Sequence, residues 1–156
     1  MNNPFQNFIA RGGIWAVVQF LLKGAVIGLG LGCRDTWSSV PGTVVGLVLF
    51  INGGLCFTAG LVAFRRNLTP LTQPRPNGSF VCHGIYARVR HPLYASVILI
   101  ALGWALYWQS GPALVAALAL IPFFYAKTRQ EERWLHQRFP DYAAYARRVP
   151  RFFPKL

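Results

Sequence analysis

The sequence predicts an all-α integral membrane protein, a single domain of about four transmembrane helices with a long cytoplasmic loop and an interfacial C-terminal helix. Three observations carry that prediction. Of 156 residues, 54% are hydrophobic and only 13% charged, against about 25% charged in soluble domains. Four apolar stretches, 14–31, 43–64, 93–108 and 113–126, are more than one soluble core of this size could hide. The first two have the length of about 20 residues that a bilayer crossing needs. Finally, basic residues gather in alternate connections. Arg11 precedes the first run, and Arg65, Arg66, Arg75, Arg88 and Arg90 lie between the second and third. Lys127, Arg129, Arg133, Arg138, Arg147, Arg148, Arg151 and Lys155 follow the last apolar residues. The other two connections carry only Arg34 with Asp35, or nothing. The positive-inside rule then puts both termini and the long loop in the cytoplasm, across an inner membrane. The net charge of +12 is accounted for by this topology and by anionic headgroups, so no nucleic-acid partner is expected.

The first span, 14–31, is too long for a signal peptide and lacks a cleavage site. Its Lys23, near mid-membrane, either faces a polar cavity or snorkels. The second span, 43–64, brings Gly46, Gly53, Gly54 and Gly60 just after Gly42, a composition suited to close helix contact. Asn52 beside the glycine pair is expected to bond a neighbouring helix. The loop 65–91 opens with prolines 70, 74 and 76 and Asn77-Gly78, which exclude a helix over 67–80. So long a loop usually serves a function.

The third span, 92–109, opens on Pro92, whose missing N–H is harmless at a first helical position. The free amides and dipole of that helix start would attract carboxylate or phosphate, with Arg90 and His91 beside them. A neutral turn, 109–112, forces a hairpin with the fourth span, 112–127. That helix, containing Pro122, is expected to run on through 123–138. After a break at Phe139-Pro140 a short helix, 141–148, should follow. Leu135, Phe139, Tyr142, Ala146 and Val149 make an apolar stripe, so the segment 128–156 lies on headgroups or folds over the loop. Cys33, Cys56 and Cys82 have no metal-ligand spacing and read as free thiols filling small apolar gaps.

Chemistry concentrates at two places. The segment from His83 to Ser96, HGIYARVRHPLYAS, places Arg88, Arg90 and His91 at the mouth of a span. Of the four acids, Glu131 and Glu132 are adjacent. Their helical directions diverge, so one should pair with Arg129 or Arg133 while the other faces the bundle. With the hairpin closed, a carboxylate, two cations, a helix start, Tyr86 and Tyr94 would suit a zwitterion carrying a flat ring.

GIYARVRHPLY at 84–94 and EERWLHQRFPDYAAYARRVPRFFP at 131–154 resemble the isoprenylcysteine carboxyl methyltransferase family, relatives of membrane phospholipid methyltransferases. The resemblance covers about half the chain. It implies S-adenosylmethionine-dependent methyl transfer, with the loop as cofactor-binding element. Phe80, Val81, Cys82, His83 and Gly84 would line the adenosine. Tyr86, Arg90, His91, Pro92 and Tyr94 would surround the amino-acid end, and Glu131 or Glu132 would meet its ammonium. Lys127 or Arg129 would position the acceptor, so Arg90, His91, Lys127 and Arg129 are the candidate catalytic cations. The expected acceptor is lipid-like or prenylated, with amine methylation of a phospholipid headgroup as the alternative. Ser96 stands where many relatives have glycine. A four-span transporter is the rival class, but no Asp or Glu lies in any span core.

Overall fold

A computed structural model describes residues 3–64, 68–69, 71–73 and 77–153. Among these are helices α1 (Pro4–Ala10), α2 (Gly13–Gly32), α3 (Val40–Phe64), α4 (Pro92–Tyr107), α5 (Gly111–Arg138) and α6 (Tyr142–Arg148), with a 3-10 turn at Gly84–Ala87. The described residues contain no strand, and the chain is an all-α integral membrane protein. Helices α2, α3 and α5 are long and apolar enough to cross a bilayer, while α4 is a shorter apolar helix. Arg65, Arg66, Asn67, Pro70, Pro74, Arg75, Pro76, Pro154 and Lys155 lie outside the described residues.

The short α1 was not anticipated. Asn3 caps it by accepting from the Phe5 amide at 3.0 Å, with proline at its first position. It ends at Gly12, whose φ of +86° is left-handed and whose missing Cβ would collide with Thr72. Any other residue there would be strained. Thr72 and Gln73 both donate to the Arg11 carbonyl, so the long loop is docked on the α1–α2 junction.

Helices α3 and α4 pack through glycine. Gly46, Gly53 and Gly60 recur every seven residues on one face of α3, and a Cβ on any of them would strike α4. Gly103 answers from α4, where a Cβ would come within 2.6 Å of the Gly46 carbonyl. Dispersion between close backbones is the attraction available in lipid, which does not reward apolar burial. Asn52 departs from expectation: its amide donates to Val48 of its own helix at 2.8 Å. The reason is that Asn52 sits on the exposed face of α3, away from the α4 seam.

The core lies between α2, α4 and α5, with Val26, Ile98, Ala101, Ala105, Ala113, Ala117, Leu120 and Phe124 buried. The α4–α5 hairpin turns on Gln109 (φ +51°). Its side chain accepts from the Ser39 amide at 3.0 Å and donates to Thr43 at 2.7 Å. Ser110 caps α5 through the Ala113 amide and donates to Leu29 of α2. Pro122 does not interrupt α5, which extends beyond its apolar half to Arg138. Cys33 and Cys82 are exposed rather than buried fillers, because one ends a helix and the other lies in the loop.

Candidate functional site

The polar end of α5, the start of α4 and the segment after α6 meet at one corner. His91 is buried where α4 begins, and Glu132 is buried one helix away on α5. Its carboxylate lies 3.0 Å from His91 Nε2 and 3.3 Å from Arg90 Nη2. It also accepts both Arg151 donors, Nε at 3.1 Å and Nη2 at 2.6 Å. Charge-assisted, bidentate pairing of this kind offsets the cost of burying a carboxylate. The hydrogen bonds to Glu132 raise the Arg151 pKa above its ordinary value.

Glu131 takes a different partner: the Tyr94 hydroxyl donates to its Oε2 at 2.9 Å. The same oxygen lies 4.0 Å from His91 Nδ1. The expectation that the two glutamates diverge to separate faces is therefore corrected. Neighbouring helical side chains point about 100° apart, and the imidazole sits in the angle between them, turning one nitrogen to each. Neither Arg129 nor Arg133 is the partner. Arg133 donates to Gln130, Arg129 is exposed, and Arg151 fills the role instead.

The helix start is also less open than its sequence suggests. The Arg90 amide donates to the Pro150 carbonyl at 2.9 Å and the His91 amide to that of Arg151 at 3.0 Å. The segment following α6 is thereby strapped across the N-terminus of α4. Arg90 Nη1 binds the Ala146 carbonyl at 2.9 Å, and Phe152 lies against the His91 ring at 6.3 Å between centroids. The tail folds over the loop, as one of the two alternatives expected.

Beside this corner opens a cleft that encloses about 870 Å³, counting the open solvent at its mouth. Its wall includes Phe80, Val81, Tyr86, Arg90, His91, Tyr94, Glu131, Phe139, Tyr142 and Tyr145. Phe80 stacks on Phe139 at 5.6 Å and meets Tyr145 edge-on at 5.2 Å. Tyr145 donates to the Tyr86 carbonyl at 2.6 Å. Burial pushes its hydroxyl up to about 12, against the pull of Arg90, and burial raises Tyr86 as well. Two buried donors on this wall, Arg90 Nε and the Tyr142 hydroxyl, have no hydrogen-bond partner.

The remaining predicted residues divide. Pro92 is buried behind the wall, and Cys82, His83 and Gly84 are exposed beside Val81. Glu132 faces its cations and does not line the cleft. Lys127 is buried outside the wall: it donates to Gln19 of α2 and lies 5.2 Å from the centre of the Tyr94 ring. Sequence reasoning missed Arg151, Gln19 and Tyr142. The Val-Pro-Arg run carried the only local signal for Arg151, and none marked Gln19. Among the described residues no group of three or more His, Cys, Asp or Glu side chains could hold a metal ion.

The model of the phospholipid methyltransferase family matches residues 41–142, which hold α4 and most of the cleft. A cobalt-zinc-cadmium resistance protein, CzcN of Cupriavidus metallidurans, is 34% identical over 160 residues, all of this chain and 70% of that protein. A nickel-cobalt-cadmium resistance protein, NccN of Alcaligenes xylosoxydans xylosoxydans, is 32% identical over 99% of this chain and 70% of its own length. Protein-S-isoprenylcysteine O-methyltransferase B of Arabidopsis thaliana is 28% identical over 113 residues, 70% of this chain and 57% of the plant protein.

Proposed function

The chain belongs to the phospholipid methyltransferase family, and from that premise we propose that it transfers a methyl group from S-adenosylmethionine to a lipid-linked acceptor in the membrane. The observation that carries this is the pair of buried donors left without partners on the cleft wall, Arg90 Nε and the Tyr142 hydroxyl, near the carboxylate of Glu131. Unsatisfied buried donors are costly, and an anionic ligand group would satisfy both. A carboxylate on the same wall suits an ammonium. Donors for an acid, an acceptor for an amine and aromatic walls for a flat ring together fit the methyl donor.

When bound, that cofactor supplies a sulfonium-activated methyl for in-line displacement, which needs alignment more than acid–base help. Glu131, oriented by Tyr94, receives the ammonium. Arg90 and Tyr142 receive the carboxylate, and His91 holds the corner together through Glu132. Phe80, Phe139 and Tyr86 frame the base, with Val81, Cys82, His83 and Gly84 following along the loop ahead of Pro92. The tyrosine faces and the low polarity of the wall keep water from the reacting atoms and favour a cationic sulfur. Arg129, exposed on α5, remains the cation proposed to steer the acceptor, while Lys127 is buried outside the wall.

The acceptor we favour is a carboxylate of the isoprenylcysteine kind, supported by the plant relative. Carboxylates are already ionised at neutral pH, and the described cleft presents no free base to deprotonate an amine. The family's own description supports a phospholipid headgroup as the alternative. Basic residues at the cleft end support a cytoplasmic position for that end and for both termini. The test is calorimetry of detergent-purified protein, then methyl-labelled cofactor supplied with total membrane lipid or short prenylcysteine compounds. Heat with S-adenosylmethionine and label in one lipid class are expected; no heat with cofactor or its demethylated product ends this reading.

A further inference from the structure

Helix α2 lies wholly outside the residues matched by the family model, yet it reaches the site through a buried contact. Gln19 is 8% exposed and Lys127 1%, and the Lys127 ammonium donates to the Gln19 carbonyl oxygen. An ammonium in such surroundings is costly unless it is bonded. Held there, it stands 5.2 Å from the centre of the Tyr94 ring, within cation–π range. Phe124 stacks on that ring at 4.7 Å. The ring is thus fixed, and its hydroxyl, 2.9 Å from Glu131 Oε2, fixes the carboxylate at the cleft wall.

We propose that Gln19 is a positioning residue for the ammonium end of the ligand site: it anchors Lys127 against Tyr94, and Tyr94 aims Glu131 into the cleft. This rests on the proposed cofactor site. The chain of contacts runs from α2 to α5, to α4 and back to α5, so α2 and α4 contribute one residue each and α5 two. Without the Gln19 oxygen, Lys127 loses a buried acceptor, and the Tyr94 ring loses the bracing that this contact gives it.

The test is calorimetry of the full chain in detergent with two probes, S-adenosylmethionine and methylthioadenosine, which lacks the amino-acid end. Gln19→Met keeps length and removes the acceptor. It is expected to weaken S-adenosylmethionine about tenfold, the scale of one lost hydrogen bond, and to leave methylthioadenosine unchanged. Gln19→Glu, which keeps an oxygen, should restore binding. In a Tyr94→Phe background Gln19→Met should add less than about twofold, because the two act in series. If Gln19→Met fails to fold, Gln19→Asn, one methylene too short, should show the same selective loss. Wild-type affinity in the variant, equal loss of both probes, or full additivity with Tyr94→Phe overturns the inference. Absence of wild-type heat with S-adenosylmethionine instead overturns the cofactor reading beneath it.

Discussion

Glu132 and Glu131 are neighbours in sequence with different partners, and their variants should separate them. Glu132 is enclosed by Arg90, His91 and Arg151; Glu132→Ala strands those cations and should cost about 3–5 kcal/mol of stability, seen as a large drop in thermal unfolding in detergent. Glu131→Ala should instead weaken S-adenosylmethionine about tenfold by losing one charge-assisted contact, with little change in melting. Equal effects from both variants would count against the division. A third measurement concerns Tyr145, whose folded pKa of about 12 stands above its ordinary 10.0. A raised pKa contributes stability that is whole below pH 10 and lost as pH climbs through 12, so unfolding should track tyrosinate absorbance in that window. The glutamate pair and the Arg-His-Pro start could be read from sequence because each is a local cluster. Their partner Arg151 could not, because only a tail folded back across the helix start brings it to Glu132.

Helices reveal themselves by apolar length, and that signal located the long ones. It overlooked α1, whose seven residues are too few for a hydrophobic run, although Asn3-Pro4 is a cap signal. Glycine content in α3 foretold close packing, but which glycines touch α4 depends on rotation about the helix axis. That distinction is testable. Gly46→Val should overpack a seam where even a Cβ meets backbone, at about 1–3 kcal/mol. Gly54→Ala, with nothing within 4 Å of the new Cβ, should leave melting unchanged or slightly raised. A shared phenotype would mean that α3 is turned otherwise.

For the molecule as a whole, the sequence foretold the class of fold, and the hairpin it predicted brings Arg90 and His91 to the glutamate pair. The link from Gln19 to Lys127 spans 108 positions and left no trace in periodicity or motif. Orientation in the bilayer is set by basic residues flanking alternate helices, and two exposed thiols can report it. Cys33 ends α2 beside the α4–α5 turn, whereas Cys82 lies at the cleft end. A membrane-impermeant maleimide applied to intact cells should modify Cys33 and spare Cys82; the reverse pattern would invert the topology. The strap over α4 has a consequence for biogenesis. Residues 149–153 emerge from the ribosome after every bilayer helix, so the nascent chain inserts first and completes the corner around Glu132 only once translation has passed them. Stalled or prematurely terminated products would sit in the lipid with the buried Glu132 carboxylate lacking its bidentate arginine.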